Sequence, residues 1–143
     1  MSSDTPHSAT ETDARFPSGQ WKGFWLQRGL EGRQWMNLTL EFVNGRIVGE
    51  GRDRVGEFLI RGSYELKEGR CTLTKTYPGS HDVDYRGANE GDGKWVWGLW
   101  RIRTDSGGFH LWPDGEPDPT GSELKAAKPI PRTEKIRLEA VEI

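Results

Sequence analysis

Apolar and polar residues alternate along much of this chain. Met36, Leu38, Leu40 and Phe42 are separated by Asn37, Thr39 and Glu41, and a period of two puts each set on its own side of an extended strand. Similar runs recur between Gly19 and Pro113, divided by glycine-containing turns, and none has helical spacing. The pattern predicts eight strands, over 20–28, 34–43, 46–53, 57–66, 70–77, 81–88, 94–104 and 108–113. Asn44-Gly45, between the second and third, is the strongest hairpin signal because both residues tolerate positive φ. "GLEGR", "RVG", "KEG", "PGS", "EGDG" and "DSGG" make the other links.

Consecutive strands with links this short pair with their sequence neighbours. An eight-stranded meander keeps two exposed edges unless it closes, and at eight strands closure leaves room for side chains or one small ligand. The predicted fold is therefore all-β, an eight-stranded antiparallel up-and-down barrel over residues 19–113, with an open sandwich as the alternative. Residues 1–18 read as a disordered leader. Residues 114–143 read as a tail packing on the barrel, since four of the eight prolines fall between 114 and 132 and argue against a further core strand. Ile136, Leu138, Ala140, Val141 and Ile143 suit an ordered end, as strand or short helix. Whether the tail covers the barrel or plugs it stays open.

Composition narrows the function classes. One domain fits 143 residues, and only 33% of them are hydrophobic, with no run long enough to span a membrane as a helix. A net charge of −2 with interspersed signs makes no case for nucleic acid or an anionic lipid surface. The polar N-terminus lacks the form of a signal peptide, and a single cysteine, Cys71, suits a reducing compartment, so a cytoplasmic location is expected. Asn37-Leu38-Thr39 is then a glycosylation acceptor by composition alone.

Gly19-Gln20-Trp21 opens the first predicted strand. A Gly-x-Trp there, followed by an eight-strand meander, resembles the lipocalin and avidin barrels, the calycins. The resemblance implies a barrel floor closed by Trp21, a late basic residue stacked on it, for which Arg101 and Arg103 are candidates, and a mouth that holds a small molecule. Gly98-Leu99-Trp100 repeats the tripeptide, and the chain departs from the family in its tail and in lacking secretion and disulfide signals.

Candidate chemistry gathers in "KTYPGSHDVDYRG". Lys75, Tyr77, His81, Val83 and Tyr85 share a parity with Leu73 and Cys71, so Lys75 points inward, opposite Val83, with Leu73 opposite Tyr85. A buried lysine needs partners or a lowered pKa. A one-residue register change would instead turn Thr72, Thr74 and Thr76 inward. The expected ligand site comprises Lys75, Tyr77, His81 and Tyr85, with Asp53 as a secondary contact and Phe58 and Trp97 as apolar lining beside Phe42 and Tyr64, for a small ligand that Lys75 would suit to an anion.

Other motifs carry less. In "GEGRDRVGEF" Arg54 replaces the third glycine of a dinucleotide fingerprint and no helix follows, so Gly49 and Gly51 read as relief of crowding. A calcium loop at Asp114, Glu116 and Asp118 fails because Pro119 and Lys125 occupy the turn and bidentate positions. His7, His81 and His110 have no metal spacing, so neither metal nor cofactor is expected. Ser80 and His81 point apart if both lie on a strand.

The seventh strand is apolar on both faces, Trp95, Trp97 and Leu99 on one and Val96, Trp100 and Ile102 on the other. With the first face placed inside, Trp100 and Ile102 are left for the tail, a second copy or a protein partner. A cofactor-independent enzyme using Lys75 or His81 as base and Tyr85 as proton donor is the third reading.

Overall fold

The computed structural model of the chain describes residues 10–89 and 94–120. Eight strands follow one another, β1 (Gly19–Trp25), β2 (Gln34–Val43), β3 (Arg46–Asp53), β4 (Glu57–Tyr64), β5 (Arg70–Thr76), β6 (Asp82–Asn89), β7 (Val96–Ile102) and β8 (Asp105–Pro113). Each pairs antiparallel with its neighbour, and β8 pairs with β1 from Trp21↔Pro113 to Trp25↔Phe109. The sheet is a closed meander barrel without edges, which removes the open sandwich. Among the described residues no helix is long and apolar enough to cross a membrane.

Alternation does what its period requires. In β2, Gln34, Met36, Leu38, Leu40 and Phe42 are buried while their neighbours face out. Asn44 (φ 51°) and Gly45 (φ 81°) both take the left-handed region that closes β2 on β3, as a two-residue hairpin of this type demands. Inside the barrel, space is the scarce quantity. A Cβ on Gly51 would lie 2.3 Å from the Asn37 carbonyl oxygen and 2.6 Å from the Phe58 ring, so only glycine admits that ring there.

One end of the barrel, the floor, is sealed by the residues before β1. Phe16 is fully buried and its ring sits 5.4 Å from Phe42 and 4.9 Å from Tyr64, with Trp21 5.7 Å from Phe42. Hydrogen bonds hold the segment in place. Trp21 Nε1 donates to the Pro17 carbonyl at 2.9 Å, Asn89 Nδ2 to that of Arg15 at 2.8 Å, the Phe42 N–H to Ser18 Oγ at 2.9 Å and the Tyr64 hydroxyl to Glu11 at 2.6 Å. A bridge joins Thr10 to Val43. The leader expected over 1–18 is thus part of the barrel from residue 10 onward, because Phe16 supplies the apolar surface that ordering it requires. Residues 1–9 and the tail from 121 lie outside the described residues.

Trp21 does lie at this floor, 2% exposed. Arg101 and Arg103 do not reach it. Both are exposed and stand at the other end, where β7 turns into β8, because β7 runs away from the floor.

Candidate functional site

The opposite end is the mouth, where the links β1–β2, β3–β4, β5–β6 and β7–β8 gather. Lys75 pairs with Val83 and Leu73 with Tyr85. Cys71, Leu73 and Lys75 are all buried, and Lys75 is only 1% exposed. The threonine-inward register is excluded. Burial pushes the Cys71 thiol up to about 12, so it is an inert core group.

Asp53 ends β3 on the inward face and uses its two oxygens differently. Oδ1 accepts the Val55 N–H at 2.9 Å and the Gly56 N–H at 3.3 Å, shaping the β3–β4 turn. Oδ2 accepts Lys75 Nζ at 2.5 Å and the Tyr77 hydroxyl at 2.5 Å. Lys75 completes its three donors with Tyr85 Oη at 3.2 Å and Met36 Sδ at 3.6 Å. Its ammonium also lies 4.4 Å from the centre of the Phe58 ring, 5.2 Å from Tyr77, 5.5 Å from Tyr85 and 5.7 Å from Trp25, and such ring faces favour a cation.

The electrostatics follow from this enclosure. Burial pulls Lys75 below its ordinary value and the Asp53 bond works against the fall. Burial would raise Asp53, yet the Lys75 and Tyr77 hydrogen bonds outweigh it and hold the carboxyl below the usual range. Burial drives both phenols upward, reinforced at Tyr77 by the bond to Asp53 and at Tyr85 by the Asp53 charge. Tyr77 and Tyr85 therefore keep their protons at neutral pH, Tyr77 donating its own to Asp53 while the Tyr85 oxygen accepts from Lys75.

Above this cluster lies a cavity of about 130 Å³. Trp25, Tyr77, Val83, Tyr85 and Trp100 form its buried wall, and Gln27, Val55, His81 and Ile102 its rim. The Trp25 and Trp100 rings meet edge to face at 6.1 Å. Trp100 Nε1 donates to the Leu26 carbonyl at 2.8 Å, whereas Trp25 Nε1 is buried with no hydrogen-bond partner among the described residues.

Of the residues expected at a ligand site, Tyr77, His81 and Tyr85 line this cavity. Lys75, Asp53 and Phe58 do not line it. They form the layer beneath, joined across the barrel. Trp97 is placed elsewhere, because the faces of β7 are the reverse of those expected. Val96 and Trp100 belong to the barrel core with Ile102 packed against it, while Trp97 and Leu99, of the other parity, are buried on the outer side. Trp100 and Ile102, expected at an interface, are thus cavity residues.

Trp97 instead joins an outer aromatic belt. Its ring is 5.9 Å from Trp95, which stacks on His110 at 5.7 Å and donates to His110 Nδ1 at 3.0 Å. Ser80 and His81 fall in the β5–β6 turn rather than on a strand, so they do meet, Oγ to Nδ1, at 3.0 Å. Among the described residues no carboxylate bonds that imidazole in turn, and no cluster of three His, Cys, Asp or Glu could hold a metal.

Sequence reasoning missed Trp25, Gln27 and Val55. Trp25 shares its parity with Trp21 in β1, a signal that was present. Val55 sits in a turn, where no periodicity exists to read. No family model, curated protein or solved structure matches this chain.

Proposed function

We propose that this protein is a non-enzymatic small-molecule-binding barrel, calycin-like in arrangement, whose ligand sits in the mouth cavity. The observation that carries the reading is a concave, mostly aromatic pocket at the end of the closed barrel that the described residues leave unsealed, with a few polar groups placed in its wall, the usual form of a small-molecule site. Catalysis finds less support. Lys75 has all three donors engaged and does not line the cavity, both phenols are too weakly acidic to ionise, and among the described residues no carboxylate orients His81. An interface through Trp100 and Ile102 loses its residues to the barrel interior. A cytoplasmic location remains part of the proposal, resting on the lone buried cysteine.

Native mass spectrometry of protein purified gently from its own host tests the reading. We expect a discrete bound mass that is lost in Ile102→Trp, which fills the rim from a half-buried position while leaving the floor untouched. Retention of the same mass in that variant would move the ligand out of the mouth. A chain that stays bare and responds to no member of a small-fragment library would remove the binding reading altogether.

A further inference from the structure

We propose that residues 121–143 of this chain dock on the outside of the barrel, across a row of aromatic side chains carried by β7, β8, β1 and β2. Ile136, Leu138 and their apolar neighbours make the contact, and the mouth is left uncovered.

Paired positions on neighbouring strands define the row. Trp97 lies opposite His110, His110 opposite Phe24, and Phe24 opposite Trp35. All four point away from the core, because residues of the other parity, such as Trp25, Met36, Trp100 and Phe109, fill it. Leu99 and Trp112 flank the row on β7 and β8. In β5, by contrast, the outward positions are Arg70, Thr72, Thr74 and Thr76. A stretch of sheet that is apolar on both faces belongs beneath a further layer rather than against water.

That layer comes from the same chain. Phe24, Trp97, Leu99 and Trp112 are at most 3% exposed in a single copy, whereas Trp35 is 45% exposed. One half-open ring falls far short of the roughly 800 Å² per partner that a stable interface buries, so the row does not call for a second copy.

The chain that follows β8 turns onto this face. The Asp114 N–H donates to the Gln20 carbonyl at 2.9 Å and the Glu116 N–H to that of Pro113 at 3.1 Å. Asp118 then accepts Arg33 Nη1 at 3.1 Å, and that guanidinium lies 4.6 Å from the centre of the Phe24 ring and 5.9 Å from that of Trp35. The other Asp118 oxygen accepts the Thr120 N–H at 2.7 Å and its hydroxyl at 2.6 Å. Pro119 and Thr120 are buried, so the described chain ends near Phe24, on the outer side of the barrel. Trp97 lies two strands further round, about 10 Å away, and the stretch from 121 to 136 can extend to about 50 Å. Reach is ample, and Ile130, Ile136, Leu138, Val141 and Ile143 supply apolar surface for the β7 end of the row. A tail in this position spans the seam where β8 pairs with β1 and the barrel closes.

Methyl NOE spectroscopy of the full-length protein, with 13C-labelled isoleucine and leucine methyls, tests the proposal. We expect contacts from Ile136 and Leu138 to the ring protons of Trp97 or Trp112. Ile136→Asp should erase them and shift those two indole N–H signals, while the signals of Trp25 and Trp100 stay in place. The contacts are read in the unaltered chain, so the proposal does not depend on how that variant folds. Contacts to Trp25 or Trp100 would make the tail a plug for the mouth and overturn the proposal. Contacts seen only between differently labelled copies in a mixed sample would give the face to a second molecule and overturn it equally. So would the absence of any contact between these methyls and the rings of the row.

Discussion

The floor and the mouth of this barrel are built from the same strands and solve opposite problems. At the floor, aromatic rings close the opening, a segment from outside the sheet plugs it with Phe16, and Glu11, Trp21, Tyr64 and the Asn89 amide nitrogen find protein partners, while Asn89 Oδ1 has none among the described residues. At the mouth, an ion pair is buried within the barrel, a cavity remains open, and among the described residues the Trp25 indole N–H has no acceptor. One end is thus filled by packing and the other keeps an open space beside a buried ion pair, so the two ends divide close packing from a cavity.

Substitutions at the two ends should expose that division. The largest effect is expected of Lys75→Met, which strands Asp53 in the interior and should cost about 3–5 kcal/mol, the usual penalty for breaking a buried pair. Adding Asp53→Asn should recover part of it in urea unfolding. If Lys75→Met proved silent, the ion pair would be solvated and the two ends would no longer differ. Phe16→Ala should follow at about 3–4 kcal/mol, because a large ring leaves a cavity that the barrel cannot collapse. Its mouth resonances should stay in place, and movement there would couple the two ends.

The smallest effect lies at the floor and depends on pH. Arg15 hydrogen bonds hold the Asp13 carboxyl at about 2, below the roughly 3.9 of an unfolded chain. A depressed acid contributes stability in full above the unfolded value and loses it as pH falls towards the folded one. Unfolding midpoints should thus be flat from about pH 5 to 7 and decline below about pH 4. Asp13→Asn should remove part of that decline. The rest belongs to Asp53, Glu11, Glu65 and Asp118, whose carboxyls are also lowered. An unchanged acid limb in Asp13→Asn would show that the Arg15 clamp adds nothing in solution.

Much of this architecture could be read from alternation alone. β2 and β3 and the Asn44-Gly45 turn between them fall where the pattern puts them, and the inward direction of Lys75 follows from its parity with Cys71 and Leu73. Three features escaped for physical reasons. Phe16 is one apolar residue in a polar segment and has no period to betray it. β7 is apolar on both faces, so parity could not choose between Trp97 and Trp100. A subtler cue existed, since Trp100 pairs with Gly107 and a Cβ there would lie 2.8 Å from its Nε1. The bond between Asp53 and Lys75 links β3 to β5 across the interior, with β4 between them. Strand pairing reads neighbours along the sheet and says little about partners that meet through the core.

Because β8 closes on β1, the first and last strands must find each other before the barrel exists. During synthesis the hairpins carrying Asp53, Lys75 and Tyr85 can form early, while Trp25 waits for Trp100 and the strand that follows it. Pairings this distant along the chain form slowly, and an open meander exposes aromatic surface in the meantime. The wall of the mouth cavity is thus assembled only at the moment of closure, so the newly made chain acquires its shape and its cavity in the same final step.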